Sequence, residues 1–338
     1  MSAGELLLEI RAEEIPARML PDAVRELSTR LFEELVKVGL TPGEVETGFT
    51  PRRLWLVMKK LPQKGRDQVL PIVGPPASAA FAADGTPTRA AEGFASKLGL
   101  DVSQLKRRDF DPGEDEREWL QREPAVALNA AAEELPAAKP VKARGEYAYV
   151  VARLDGRRTR EVLAELVPSI LRSLSWPKTM RWGSGIGPWV RPIHGIVCVF
   201  EGEVVPFDLF GVASGRTSAG HPILSPEPFA VAGAASWHAA RVARRIVPTP
   251  EAREAALRAG MEERAREHVG ELVDDPALLA KLAAICEIPG ILEGGFDPEL
   301  LELPREVLVT ALRDHQSALS VERDGNLQIG RASCRERV

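Results

Sequence analysis

The apolar pattern at the start of the chain is the feature that most restricts the fold. Residues 6–10 form a short apolar run with the length of a buried strand. Residues 20–38 then place apolar side chains at three- or four-residue steps and stop at Gly39, as an amphipathic helix with a glycine cap does. Residues 45–49 and 54–58 are rich in β-branched and aromatic side chains, which favours two more strands. The opening unit is therefore predicted as strand, helix, strand, strand.

Further along the chain, the same signals predict both helices and strands. The elements expected here are a helix entered at Thr88, a strand over 147–154, a helix over 162–174 and a hairpin formed by 196–200 and 204–209. The Pro/Gly cluster at 70–76 should interrupt regular structure. Residues 107–142 mix acids, alanines and prolines without a sustained period, which predicts a mobile surface insertion.

Beyond Pro228, Ala, Arg and Glu become frequent, and strand-forming residues are rare until about residue 290. Thr249 with Pro250, and Asp275 with Pro276, are start signals for two helices. The fold class is therefore predicted as α+β, with a mixed strand and helix N-terminal region that has antiparallel strands, followed by a mainly helical region. The predicted domains are 1–68, 69–225 with the insertion, 226–329, and a probable non-native tail at 330–338.

Composition excludes several classes of protein. With 338 residues, 44% of them hydrophobic, the chain can bury a sizeable core. Its three cysteines are widely spaced, so they fit a reducing compartment and give no CxxC metal pair. The N-terminus lacks the basic flank of a signal peptide, and no apolar run has the length of a membrane helix. We therefore expect a soluble cytoplasmic protein without a membrane partner.

The densest group of candidate binding residues lies at 175–195. Glycines at 183, 185 and 187 would let backbone amides approach a phosphate, with Lys178, Arg181 and Arg191 supplying positive charge. The GK[ST] spacing of a P-loop is absent, however, and the G-x-G-x-x-G spacing fails. The alternative is a glycine-rich turn packed by tryptophans, and His194 is then either a packing residue or a ligand-facing donor.

The remaining candidates give no catalytic centre. Glu13 and Glu14 are adjacent, so they point in different directions, and we expect them to stabilise the start of the helix near Pro16 through its dipole. The histidines are dispersed without an H-E-x-x-H pattern, and no G-x-S-x-G elbow is present. We predict no catalytic residue and no metal site in this chain.

Several sequence blocks, taken in order, resemble the beta subunit of bacterial glycyl-tRNA synthetase. The blocks are LLLEIRAEEIPARML at 6–20, TPRRLWLVM at 50–58, FAADGTPTRAAEGFA at 81–95, PKTMRWG at 177–183, WVRPIHGIVCVFEGEVVPFDLFG at 189–211, GHPIL at 220–224 and LPREVLVTALRDHQ at 303–316. Collinear blocks spread along most of the chain are far more specific than any single motif.

This resemblance implies a cytoplasmic ligase of two alpha and two beta subunits that attaches glycine to its tRNA at the expense of ATP. It also implies that the alpha subunit holds the reaction site and uses ATP and Mg, while the beta subunit grips tRNA and completes the assembly. No cofactor is then expected in this chain. The candidates for tRNA or subunit contact, which match the family blocks, are Arg52, Arg53, Lys178, Arg181, Arg191 and His194.

The sequence departs from the family pattern in several places. The 107–142 region is longer than usual, and Ser317, Ala318 and Leu319 replace a basic residue and aromatics. The chain corresponds to the N-terminal half of the family, and its GRASCRERV ending differs from the family's continuation. Two alternatives stay open at this point: an independent RNA- or protein-binding module, and a free-standing enzyme with a phosphate-binding turn near 178–194.

Overall fold

The computed structural model describes residues 3–110, 119–120, 123–128, 145–267, 269–295, 297–324 and 326–334. The chain divides into two compact units. A larger unit contains Met1–Gln63 and Thr159–Val338, and an inserted unit contains Lys64–Arg158. This division differs from the predicted domains, because the larger unit joins segments far apart in sequence and has no boundary near residue 225.

Strands occur along the whole described part of the chain. In chain order they are β1 (Ala3–Ala12), β2 (Glu44–Thr50), β3 (Arg53–Pro62), β4 (Gln68–Pro76), β5 (Lys106–Phe110), β6 (Val126–Leu128), β7 (Gly145–Leu154), β8 (Met180–Trp182), β9 (Ile186–Trp189), β10 (Ile193–Phe200), β11 (Glu203–Val204), β12 (Asp208–Leu209), β13 (Val212–Gly215), β14 (Thr217–Ala219), β15 (Pro228–Ala230), β16 (Glu271–Leu272), β17 (Ile291–Gly294), β18 (Ala318–Arg323) and β19 (Asn326–Cys334).

The helices lie between these strands, so the α+β prediction is confirmed. They are α1 (Leu20–Lys37), α2 (Ala77–Ala80), α3 (Arg89–Lys97), α4 (Thr159–Arg172), α5 (Ala234–Ala243), α6 (Pro250–Glu267), α7 (Pro276–Ala284) and α8 (Arg305–Thr310). Short 3-10 turns occupy Ala17–Met19, Val102–Gln104 and Pro298–Glu302, and a π turn covers Ala311–His315.

The main sheet of the larger unit is built around β1. The strand order is β12-β13-β10-β1-β3-β2, with β11 added to β10. β1 runs antiparallel to both β3 and β10. Leu6, Leu8 and Ile10 lie in the same core cluster as residues of α1 and α4, and Leu7 packs with Trp237 of α5 on the other face. Burial on both faces explains why β1 reads as a continuous apolar run.

The predicted opening unit and the signals that bound its helix are confirmed. A 3-10 turn at Ala17–Met19 leads into α1, and Gly39 ends the helix with φ 78°. Glycine adopts this left-handed conformation at low cost, which is why it follows so many helices. The predicted hairpin is only partly right: β10 and β11 pair around Glu201 and Gly202, whereas 204–209 divides between β11 and β12.

The inserted unit contains a sheet of order β4-β7-β5, with β6 parallel to β7. The prediction that 70–76 interrupts regular structure is wrong, because these residues belong to β4. β4 is an edge strand, and edge strands are where a sheet accommodates proline. Of the predicted mobile insertion, β5 and β6 are ordered strands, and 111–118, 121–122 and 129–144 lie outside the described residues.

The C-terminal part of the larger unit contains more strand than predicted. α6 and α7 begin where the Thr249-Pro250 and Asp275-Pro276 signals place them, and the Asp275 side chain accepts from Leu278 N. A four-stranded sheet of order β16-β18-β19-β17 packs with them. Helical residues still outnumber strand residues among those described in 226–329, so the prediction of a mainly helical region is confirmed. Residues 330–334 of the predicted tail continue β19, and 335–338 lie outside the described residues.

Within the described ranges, the helices are all too short or too polar to span a bilayer. Cys198 and Cys286 are buried cysteines of the larger unit. Burial raises the pKa of the Cys198 thiol well above its ordinary value.

Candidate functional site

Basic residues collect where β1 ends and where β3 and β10 begin. In the ladder, Arg11 lies opposite Arg53 on one side and Gly195 on the other. The loop after β1 is fixed by backbone bonds, since Ala12 N donates to Arg52 O and Glu13 N donates to Pro192 O, both at 2.9 Å. We call this region the basic end of the sheet and define it by Arg11, Arg52, Arg53, Arg191 and His194.

Arg53 is the buried centre of this region. Only 3% of the residue is exposed. Its Nη1 donates to Glu9 Oε1 at 2.9 Å and its Nε donates to Glu287 Oε1 at 3.1 Å. Its Nη2 donates to the carbonyl oxygens of Ala219 and Gly220 at 2.8 and 2.9 Å. Burial alone would lower the pKa of Arg53, but the two carboxylates outweigh it and hold the pKa above its ordinary value.

The expectation that Arg53 contacts tRNA therefore meets a physical obstacle. A phosphate contact needs an exposed guanidinium, and that of Arg53 is enclosed and already bonded to protein acceptors. Its role is instead to hold segments together, because its partners come from β1, from the end of β14 with the next residue, and from the segment after α7.

The two buried carboxylates have further donors. Glu9 accepts from Ser218 Oγ at 2.5 Å and from Trp237 Nε1 at 3.0 Å. Glu287 accepts from Thr50 Oγ1 at 2.5 Å. Buried charges are tolerated only with such partners. The sequence analysis did not predict that Glu9 and Glu287 are buried and paired with arginine. For Glu9 there was a signal, because it is the single acid inside the apolar run of β1.

Arg52, Arg191 and His194 surround the loop that follows β1. Arg52 Nη2 lies 3.5 Å from Glu14 Oε2, and Arg191 Nε donates to Glu14 O at 3.0 Å. His194 Nε2 lies 2.8 Å from Glu13 Oε1. These contacts come in addition to the predicted dipole effect of the two glutamates on the start of the helix, which stays a prediction.

This arrangement suits the binding of an anion at the surface. His194 is exposed, whereas Arg52 and Arg191 are partly exposed. The Arg52–Glu14 ion pair is long and its glutamate is exposed, so Arg52 can exchange Glu14 for another anion at low cost. A phosphate that approached this end would meet the guanidinium groups of Arg52 and Arg191 in one small area.

The glycine-rich segment forms the β8–β9 hairpin. Arg181 Nη1 donates to the carbonyl oxygens of Gly185 and Gly187 at 3.0 and 2.7 Å, while Gly185 N donates to Trp182 O. The turn thus presents carbonyls to its arginine, and one of the three glycine amides expected to hold a phosphate is already used. Of the two readings of this segment, the structure agrees with the packed turn.

Tryptophan packing fixes that hairpin. Trp189 is fully buried and its ring lies 5.3 Å from that of Trp176 at 77°. Lys178 and Arg181 are exposed beside it. Met180 Sδ lies 3.9 Å from Arg191 Nη1, so the hairpin reaches the basic end of the sheet. The structure therefore brings Arg52, Arg191 and His194 together around one loop and places Lys178 and Arg181 on the adjoining segment.

No metal centre is evident in the described ranges. Their His, Cys, Asp and Glu side chains form no group of three that could hold an ion.

Comparison with known proteins gives a consistent result. The chain matches the family described as "Glycyl-tRNA synthetase beta subunit" over residues 6–330. It is 36% identical over 327 residues to a protein of Geobacter sulfurreducens named "Glycine--tRNA ligase beta subunit", a match that covers 96% of this chain and 43% of the relative. Proteins of the same name from Syntrophus aciditrophicus and Moorella thermoacetica are each 33% identical, with 43% and 41% of their lengths covered.

The chain thus spans less than half the length of these curated relatives. The matched residues nevertheless include most of β1, the β8–β9 hairpin and nearly all of the described part of the chain. The chain belongs to the glycyl-tRNA synthetase beta subunit family.

Proposed function

We propose that this chain contributes a tRNA-binding and assembly surface to a glycine–tRNA ligase in the cytoplasm, whose bond-making steps take place on a separate alpha subunit. The observation that carries the proposal is the family match over residues 6–330. The proposed complex contains two alpha and two beta subunits, and the alpha subunit uses ATP and Mg.

The basic end of the sheet supports the RNA part of this proposal. The chain as a whole has a net charge of −5, so nucleic acid binding requires a local excess of cations. Arg52, Arg191 and His194 lie around one loop, but Glu13 and Glu14 lie there too. The excess of positive charge therefore comes from Lys178 and Arg181, which are exposed on the adjoining segment.

Mixing experiments test the assembly part. The chain is purified with and without the cognate alpha subunit, and complex formation is followed by light scattering and by co-purification. We expect the two chains to form one complex. We also expect the chain alone to give no glycine-dependent exchange of pyrophosphate into ATP, because the reaction site belongs to alpha. Exchange activity in the isolated chain, or failure of the two chains to associate, would contradict the proposal.

Charge reversal tests the RNA part. Arg52→Glu should weaken binding of the glycine tRNA and reduce the dependence of affinity on salt concentration by about one to two charges. The matched control is Arg160→Glu, since Arg160 is exposed and pairs with Glu203 away from this end. Equal affinity and equal salt slope in the two folded variants would remove Arg52 from the RNA surface. Arg53 is unsuitable for this test because its reversal would place an acid beside Glu9 and Glu287.

A further inference from the structure

Arg11 is the one member of the basic end that the sequence analysis did not single out, and its side chain differs from the others in having no partner. In the described part of the chain, its guanidinium makes no hydrogen bond and no ion pair, and its Nε is shielded from solvent. The residue as a whole is only partly buried. A half-buried cation without an acceptor is unfavourable, because a shielded donor keeps its full desolvation cost.

The neighbouring carboxylates do not meet this need. Glu9 Oε1 is taken by Arg53 and Trp237, and Glu9 Oε2 is taken by Ser218. Glu287 is held by Arg53 and Thr50, with Arg52 Nη1 at 3.8 Å from its other oxygen. Glu9 and Glu287 therefore attract Arg11 only through space, and within the described residues neither forms a hydrogen bond or an ion pair with it.

The backbone leaves room for Arg11 to lie flat on the sheet. A methyl group at Gly195 would be 2.4 Å from Arg11 Nη2 and 3.1 Å from its Cζ. A Cβ at 195 would therefore displace the end of the flexible Arg11 side chain from its present position. Glycine at this position of β10 therefore keeps the cation at the end of the sheet.

Arg241 also has guanidinium nitrogens without a hydrogen-bond acceptor, but its charge is stabilised by aromatic rings. Its Nε and Nη1 also have no hydrogen-bond partner. Its guanidinium, however, lies 5.0 Å from the centroid of the Trp237 ring and 6.0 Å from that of Trp55, and aromatic faces attract cations. Among the cation–ring contacts of the described residues, none involves Arg11, so its charge has no such compensation.

We propose that Arg11 is an anion-binding residue whose guanidinium takes one phosphate group at the basic end of the sheet. A planar guanidinium suits a tetrahedral oxyanion, because two parallel N–H groups can reach two oxygens. The phosphate that this site takes in function is one phosphodiester of the tRNA, and this last step rests on the proposed function. Burial is the main cause of a lowered pKa of Arg11, and the neighbouring charge of Arg53 lowers it as well. Glu9 and Glu287 raise the pKa but do not outweigh burial, which is consistent with a cation that has no bonded counterion.

The first experiment compares Arg11→Gln with Arg160→Gln in the 338-residue chain. Both variants remove one positive charge, but Arg160 already donates to Val204 O and pairs with Glu203. Arg11→Gln should weaken binding of the glycine tRNA about tenfold, as expected for one charge-assisted contact, and should lower the salt slope by about one. Arg160→Gln should change neither quantity, and Arg11→Lys should restore part of the affinity.

Inorganic phosphate tests whether Arg11 binds an anion, independently of whether the chain binds tRNA. Phosphate should raise the melting temperature of the wild-type chain more than chloride at equal ionic strength, and this excess should be absent in Arg11→Gln. If no version of the chain binds tRNA while the phosphate effect depends on Arg11, the site stands and the proposed RNA function fails. If the wild type binds tRNA and Arg11→Gln matches Arg160→Gln in both tests, the inference is overturned and the proposed function stands.

Chemical modification of the wild-type chain avoids any folding defect of the variants. Phenylglyoxal reacts with accessible arginines, and modified positions are found by peptide mass mapping. Phosphate and tRNA should each slow modification of Arg11, with buried Arg53 as an internal control that stays unmodified until the chain unfolds. Equal modification of Arg11 with and without both anions would overturn the assignment.

Discussion

Burial separates the arginines of the basic end into different roles at the scale of single residues. Arg52 and Arg53 are adjacent in sequence and equivalent in composition, yet one is partly exposed and the other is 3% exposed. Adjacent residues at the start of a strand face opposite directions, so one points toward the surface loop and one into the interior. Only the exposed residue can exchange a protein partner for a phosphate.

Removing the Arg53 charge should destabilise the chain strongly. Arg53→Gln leaves Glu9 and Glu287 buried without their common cation, which costs about 3–5 kcal/mol of unfolding free energy. Arg160→Gln removes an exposed charge and should change it by less than about 1 kcal/mol. Urea unfolding followed by tryptophan fluorescence measures both. Similar values for the two variants would show that the buried group does not hold these segments together.

His238 should make stability depend on pH. Burial, and next the nearby Arg241, lower the pKa of His238, against the pull of Glu46 and Glu5. The unfolded chain therefore binds this proton at a higher pH than the folded chain does. The contribution is complete above the ordinary histidine pKa of about 6.5 and is lost as the pH falls through the lower folded-state pKa.

The comparison is between wild type and His238→Gln, which cannot titrate. Unfolding free energies at several pH values between neutrality and mild acid should fall more steeply for the wild type than for the variant. Parallel curves would mean that His238 has the same pKa in the folded and unfolded chains.

At the scale of elements, local capping signals predicted where helices begin, whereas the sequence did not predict which strands pair. Thr88 caps α3 and Asp275 caps α7 through bonds to amides two or three residues away, so a local window contains the whole interaction. β18 and β19, in contrast, pair with β16 and β17, which lie far away in sequence. β18 and β19 also pair with each other, and for that hairpin the sequence has a local signal, the Asp-Gly pair at 324–325. The sequence near β18 and β19 gives no comparable signal for β16 or β17.

The α7 cap gives a prediction with a matched control. Asp275 Oδ1 accepts from Leu278 N at 2.9 Å, and its other oxygen lies 2.7 Å from Arg313 Nε. Asp275→Ala removes both contacts, whereas Asp275→Asn keeps an acceptor for the amide and removes only the charge. Urea unfolding should show Asp275→Ala about 1 kcal/mol less stable than Asp275→Asn. Equal stability would mean that the cap bond contributes nothing beyond the ion pair.

At the scale of the whole molecule, the inserted unit leaves and returns at one point of the larger unit. Thr159 N donates to Gln63 O at 3.0 Å, so the two ends of the larger unit meet where the insertion begins. The inserted unit has its own core, formed by residues such as Ile72, Ala91 and Val150. A separate core and adjacent ends are the conditions under which an inserted unit can be removed.

Replacing residues 64–158 by a short Gly/Ser linker should therefore leave the larger unit folded. We expect cooperative thermal unfolding and the near-ultraviolet circular dichroism of packed tryptophans, because Trp189 and Trp237 keep their surroundings. The outcome that contradicts this prediction is non-cooperative unfolding of the shortened chain under conditions in which the intact chain unfolds in one transition.

The sequence by itself determined the family, the α+β class and most helices and strands of the first sixty residues, because collinear blocks, apolar periodicity and end signals are all local. Only the tertiary structure decided which charges are buried. Glu9, Arg53 and Glu287 meet across more than two hundred positions, and nothing near any of them in sequence specifies the other two. The same long-range packing left Arg11 without a partner beside Gly195, since the acceptors within reach of a guanidinium depend on how distant segments come together.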